Sequence, residues 1–238
     1  MSGWYTVPGM AQPAWFPEAL AGERVVLRKH VPENLPAFKR WYADPEIARL
    51  ARYQATPMRP EEIERFFEAR VLGTSTMAMA IHEKTSDRLV GTCAFSQLDG
   101  DNGSALYHIT IGESDVWGRG FGTEATAMML DHAFGTMGLH RIALFVFEFN
   151  ERAIRAYRRC GFVMEGRSRE SIWRDGRWWD EVGMSVLEPD WRVARNARKA
   201  RPDTEVAGAA PLQPDPPRPE PVPAGGGDGR RRTFGRWR

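Results

Sequence analysis

The spacing of apolar and polar positions changes period several times along the chain, and each change marks an element. Residues 23–29, "ERVVLRK", read as a strand. Over residues 34–43, Leu35, Phe38, Trp41 and Tyr42 fall three or four apart, the stripe of an amphipathic helix. "RPEEIERFFEARV" predicts a second helix. Pro60 suits its first turn, Glu61 and Glu62 suit the positive end of its dipole, and Ile63, Phe66, Phe67 and Val71 form its stripe. Residues 76–83, 88–98 and 104–111 read as three strands. Their links, "KTSD" and "DGDNG", are short turn-formers, so the strands are expected as antiparallel neighbours. A helix follows over about 123–136. "HRIALFVF", residues 140–147, is almost continuously apolar, the pattern of a strand covered on both faces. "NERAIRAYRRCGF" is another helix, with Gly161 in a C-cap position. "VMEGRSRESIW", the pair Asp175-Gly176 and "RWWDEVGMSVL" predict a hairpin with a type I′ turn. Strand–helix–strand–helix inside a meander gives an α/β (α+β) class, a mixed and mostly antiparallel sheet.

Composition narrows the picture at both ends. Residues 1–21 are rich in Pro, Gly and Ala and read as an irregular extension whose aromatics, Trp4, Tyr5, Trp15 and Phe16, are available to dock on the domain. Residues 22–191 carry the periodic pattern of one domain. Residues 192–238 hold 11 basic and 5 acidic side chains, so this end carries +6 while the body carries −4. From about Ala197 the chain is proline-rich with few aliphatics, and it is expected to stay disordered because it cannot bury enough surface to offset ordering. Its arginines could touch nucleic acid, but a solvated tail is the plainer reading. Cys93 and Cys160 make neither a metal-ligand spacing nor a disulfide framework, so a reduced, cytoplasmic protein without a metal is expected. No signal-peptide pattern and no apolar run near ~20 residues appears, so no membrane partner is expected.

The chemistry concentrates in "VWGRGFGTEA". Gly118, Gly120 and Gly122 sit between a strand ending at Ile111 and a helix. Helix N-termini present unpaired N–H groups and partial positive charge, and glycines clear the approach to them. That suits a phosphate or diphosphate, with Arg119 adding charge and Thr123 a hydroxyl; a tight turn packing strand on helix explains the glycines equally well. A P-loop needs Gly-Lys-Ser/Thr, and this position reads Phe121-Gly122-Thr123. The dinucleotide fingerprint G-x-G-x-x-G is one residue longer than this spacing.

"WGRGFGTEA", then "NERAIRAYRRCGF", then a hairpin entered through "EG" resembles the GNAT N-acetyltransferases, most closely the RimJ/RimL-type and polyamine branch, over residues 23–191. The resemblance implies acetyl-CoA as co-substrate and an amine acceptor: a protein N-terminus or a small cationic amine. It implies that Trp117, Gly118, Arg119, Gly120, Phe121 and Gly122 form the diphosphate loop, with Trp117 where the family has Arg or Gln. It implies a splayed parallel strand pair, with Thr110, Ile111 and Gly112 offering backbone to the pantetheine arm. Asn150 is implied as a cofactor contact, and read by position it is also an N-cap. Tyr157, seven residues on, matches the family's general acid; by periodicity alone it is a core tyrosine. Relatives carry a glutamate where this chain has Leu106, so His108, two residues on and on the same sheet face, is the candidate replacement base, ahead of Glu113 and Glu148. His132 and His140 read as structural, and Trp173, Trp178 and Trp179 could wall an acceptor cleft or pack in a homodimer. The departure at Leu106 leaves a non-catalytic acyl-CoA sensor as the alternative reading.

Overall fold

A computed structural model describes residues 16–199. One eight-stranded sheet runs through them. Its strands are β1 (Ala19–Ala21), β2 (Val25–Lys29), β3 (Met77–Glu83), β4 (Leu89–Asp99), β5 (Ser104–Ile111), β6 (Arg141–Phe147), β7 (Val163–Arg174) and β8 (Arg177–Leu187). The spatial order is β1-β2-β3-β4-β5-β6-β8-β7, and every neighbour pair is antiparallel except β5 with β6. The expected mixed sheet is therefore present. The helices are α1 (Leu35–Tyr42), α2 (Pro45–Ala51), α3 (Pro60–Phe66), α4 (Phe121–Gly135), α5 (Glu151–Arg159) and α6 (Glu188–Lys199).

Alternating side chains give the sheet two cores. One face packs Met79, Ile81, Phe95, Tyr107 and Leu144 against Ala125, Met129 and Leu130 of α4 and Ile154 of α5. The other sets Ala78 and Ala94 beneath Phe38, Trp41, Ile47 and Ile63 of α1–α3. Small residues on β3 and β4 let those three helices lie close to the sheet.

Four local readings need correction. Residues 19–21 of the supposed irregular extension form β1, paired with β2 through Leu20↔Leu27. The chain past Trp191 is helical to Lys199, because Trp191 is buried against Phe134 and donates its indole N–H to Asp131 at 2.8 Å, docking α6. α2 escaped the periodicity argument although Asp44 caps it, accepting from the N–H of Glu46 at 2.7 Å, with Pro45 at its first position. Finally, β6 is covered on both faces only in part: Ile142, Leu144 and Val146 are buried on one face, while on the other Phe147 is buried and Phe145 is 56% exposed. Trp4, Tyr5, Trp15 and the proline–arginine segment lie outside the described residues. Phe16 is buried, with Lys29 over its ring.

Two turns hold the ends of the site elements. Asp175 and Gly176 have φ of 53° and 77°, the double left-handed geometry of the hairpin signal. At the end of α5, Gly161 (φ 97°) donates to Arg158 O at 3.0 Å and Phe162 donates to Tyr157 O at 3.1 Å. This is a Schellman motif, and its usual apolar contact is the Tyr157–Phe162 ring pair at 5.7 Å. The glycine at the helix end thus fixes where Tyr157 stands.

Candidate active site

The parallel pair β5–β6 is in register over Ser104–Leu106 and Arg141–Ala143 and then parts. Beyond Leu106, one edge of β5 faces a gap. Gly112 donates to Val90 O at 2.9 Å, so its backbone addresses β4. Backbone groups alternate edges along a strand, so Thr110 also addresses β4, while Ile109 and Ile111 address the gap. Of the three residues expected to offer backbone there, Ile111 has its backbone on that edge. Gly112 answers a different need: a Cβ on it would lie 2.1 Å from the Trp41 ring. Thr110 makes a side-chain hydrogen bond with Tyr42 on the α1 side.

β5 runs on through a short turn into the glycine loop. Gly118 and Gly120 have φ of 79° and 85°, conformations other residues adopt at a cost. The space where a Gly118 side chain would stand is open among the described residues. Gly120 is the N-cap of α4, so the first N–H groups of the helix point toward the loop with no intrahelical acceptor. Gly122 differs: its φ is ordinary, and a Cβ would make van der Waals contact with Ile111 at 3.4 Å. Phe121 is buried and anchors the turn. Thr126 donates to Gly122 O at 2.7 Å and meets the Tyr107 hydroxyl at 3.1 Å, tying the first turns of α4 to β5. Cys160 donates its thiol to Thr123 O at 3.4 Å, tying the same turn to α5.

The side chains around the loop are not those the motif suggested. Trp117 donates its indole N–H to Ile111 O at 2.8 Å and carries the Arg152 guanidinium 3.8 Å above its ring, so it clamps loop to strand. Arg119 is paired with Glu83 at 2.9 Å and lies over Phe121. Arg24, just ahead of β2, reaches the loop instead: its Nη1 would be 2.6 Å from a Cβ at Gly120 and donates to Arg119 O at 3.4 Å. Sequence reading missed it because nothing local links residue 24 to residue 120.

Tyr157 lies on the α4 side of the sheet, 9% exposed. Burial pushes its phenol well above 10, with Cys160 adding to the shift, so it stays protonated at neutral pH. Asn150 caps α5, its Oδ1 accepting from Ala153 N–H at 3.3 Å, while its Nδ2 donates to Leu50 O at 3.3 Å. Asn150 and Arg152 line an open cavity of about 290 Å³ together with Glu46, Leu50 and Phe149.

His108 stands on the opposite face, cross-strand from Ala94 and turned away from its neighbour Tyr107. Its Nε2 meets Ser96 Oγ at 2.7 Å. The residue keeps solvent-exposed surface, yet desolvation by its surroundings lowers its proton affinity below the ordinary histidine value. Glu113 is committed elsewhere: Trp41, Arg40 and Arg88 all donate to it, and these bonds hold it below the usual carboxylate range despite partial burial. Glu148 accepts from Arg167 at 3.1 Å.

Past His108 the same face meets a clasp. Arg49 holds Asp175 of the hairpin tip, and Arg174 donates to the carbonyls of Arg52 and Tyr53. Tyr53 donates to Glu181 and packs 5.6 Å from Phe147. Trp173 and Trp178 pair edge to face at 5.1 Å, each about half exposed. Among the described residues no cluster of His, Cys, Asp and Glu could hold a metal, and no helix is long and apolar enough to cross a membrane.

Comparison with known proteins agrees with this geometry. The family described as the acetyltransferase (GNAT) domain matches residues 24–163. The uncharacterized N-acetyltransferase p20 of Bacillus licheniformis is 27% identical over 73% of this chain and 98% of its own length. A spermidine N(1)-acetyltransferase of Vibrio cholerae is 27% identical over 54% of this chain and 73% of its own. The fold matches that of a V. cholerae spermidine N-acetyltransferase solved with CoA and spermine, at a TM-score of 0.64 and 22% identity over 71% of this chain and 98% of that one. The chain belongs to the GNAT acetyltransferase family, and acetyl-CoA is its co-substrate.

Proposed function

We propose that this protein acetylates a primary amine, either a small cationic amine or a protein N-terminus, as a RimJ/RimL-like member of its family acting inside the cell. The observation that carries this reading is the parting of β5 from β6 after Leu106, directly beside a glycine loop at the start of α4. Bound acetyl-CoA supplies an activated acetyl thioester. The residues present fit it: open space at Gly118, N–H groups of the first turn of α4 for the diphosphate, and gap-facing backbone of Ile109 and Ile111 for the pantetheine arm. Asn150, the cap of α5, lines an open cavity with Arg152, whose guanidinium stacks on Trp117 at the start of the glycine loop.

The chain's own groups divide the proton transfers. Tyr157 holds a proton on its hydroxyl and serves as the acid toward the departing sulfur. His108, neutral at pH 7, takes a proton from the incoming ammonium, directly or through water; Ser96 at its Nε2 orients the ring. The spermidine-acetylating relative and the acidic body favour a cationic acceptor. An amine panel, with spermidine, N-terminal peptides and aminoglycosides offered beside acetyl-CoA and free thiol read out, tests the proposal. Amine-dependent thiol release is expected; binding of acetyl-CoA with no release to any amine would replace this reading with the sensor. In His108→Gln the acidic limb of the pH–rate profile, expected below about 6.5 because burial lowers this histidine, should vanish.

A further inference from the structure

The glycine loop carries two arginines of opposite circumstance. Arg119, inside the motif, has its charge matched by Glu83 at 2.9 Å and its guanidinium stacked 4.9 Å from the Phe121 ring centroid. Arg24 has no carboxylate partner among the described residues. The nearest acid, Glu124, bonds to the backbone N–H of Arg24 at 2.9 Å and of Val25 at 3.4 Å, so it orients the strand entry and not the guanidinium. Lys84 fixes the same entry, donating its backbone N–H to Arg24 O at 2.7 Å and its ammonium to Gly22 O at 2.8 Å. The Arg24 side chain is thereby aimed along the loop. Its one hydrogen bond there, to Arg119 O, is long at 3.4 Å, and its Nη1 stands 2.6 Å from where a Cβ of Gly120 would be. Four of its five donors lack a partner among the described residues, beside N–H groups that already favour an anion.

We propose that Arg24 supplies the side-chain charge that binds the diphosphate of acetyl-CoA at the glycine loop. Glycine at position 120 then has two reasons: the left-handed turn, and clearance for a guanidinium arriving from β2. A planar fork reaching a phosphate from the side complements backbone N–H groups that reach it from the helix end. The inference rests on the acetyl-CoA reading of the loop.

Calorimetric titration of the full chain with CoA and with 3′-dephospho-CoA tests it. Arg24→Gln, which keeps a donor and loses the charge, should raise Kd about tenfold for both ligands, the weight of a charge-assisted bond, and should flatten the salt dependence of binding. Arg24→Lys, which keeps the charge and loses the fork, should fall between wild type and Arg24→Gln. The melting temperature without ligand should hold in both, since Glu124 grips only the backbone of residue 24. Wild-type affinity in Arg24→Gln would overturn the proposal. So would a loss confined to CoA, which would assign Arg24 to the 3′-phosphate, or an Arg24→Lys no tighter than Arg24→Gln, which would mean that the charge at residue 24 contributes nothing. A wild-type chain that binds neither ligand would instead overturn the cofactor reading itself.

Discussion

The two sides of the cleft are built from different materials. On the α4 side the surface is backbone: two left-handed glycines, the first turn of a helix, and a strand edge that no other strand pairs with among the described residues. On the α1–α3 side it is made from side chains that meet across the sheet: Ser96 with His108, Tyr42 with Thr110, Tyr53 with Glu181, Arg174 with two loop carbonyls. A backbone site tolerates sequence change between its glycines. A side-chain site changes with every substitution, so this wall is where an acceptor would be chosen.

The sharpest break of this comparison comes from Tyr157, the side chain assigned a proton transfer on the backbone-built side. Tyr157→Phe should keep the ring pair with Phe162 and the Schellman turn while removing the proton that burial keeps on the phenol. Turnover should fall about 10²–10⁴-fold, the range of a general acid, with KM for acetyl-CoA within twofold. Unchanged turnover would return Tyr157 to the core.

His30 tests how firmly the side-chain wall is pinned. Its Nδ1 meets Asn34 at 3.1 Å and its Nε2 meets Thr92 at 3.0 Å, with Phe38 and Phe67 edge-on. Burial lowers its pKa from 6.5 to about 4. The unfolded chain therefore takes up this proton first as pH falls, so the stability it represents is present above about 6.5 and is lost on the way down to about 4. Between pH 7 and 4.5 this one group should remove about 2.5 kcal/mol from the unfolding free energy. Urea titrations should show a shallower pH dependence in His30→Gln; an equal slope would mean that the ring is not buried as described.

A smaller effect separates the glycines. Gly120→Ala meets both a φ of 85° and the Arg24 guanidinium, so CoA binding should weaken about tenfold, consistent with the ~1–2 kcal/mol of a left-handed alanine. Gly122→Ala meets neither and should bind within about twofold. Equal losses would mean that side-chain clearance at the helix start, and not backbone conformation, governs the seat.

The same division explains what could be read beforehand. The hairpin, the meander and α5 were legible because turn pairs and apolar periods are local signals: Asp175-Gly176 specifies its own φ values, and Gly161 its own cap. The glycine turn ahead of α4 was legible because glycine is costly and three occur together. Arg24 and Ser96 were not, because each acts through a register set far away: Ser96 faces His108 only by the pairing of β4 with β5, and Arg24 reaches Gly120 only once β2 lies beside α4. Thr110 and Gly112 were expected at the pantetheine arm from the family resemblance, and which edge of a strand a residue addresses depends on its hydrogen-bonded partner, here Val90 for Gly112.

The clasp gives the finest test. Arg49 and Asp175 are each about half exposed, at 40% and 49% of their side chains, so their pair is screened and should contribute no more than about 1 kcal/mol to stability. Its consequence for the site should exceed its consequence for the fold. Asp175 lies at the hairpin tip and Arg49 on α2, so the pair closes a bridge whose other strut is Arg174, at the end of β7, donating to the carbonyls of Arg52 and Tyr53 in the loop after α2. Arg49→Ala should lower the melting temperature by no more than a few degrees, leave Kd for CoA unchanged, and raise KM for the preferred amine two- to threefold. A shift in CoA affinity instead would mean that the two sides of the cleft are not independent, and the contrast between a backbone-built seat and a side-chain-built wall would have to be given up.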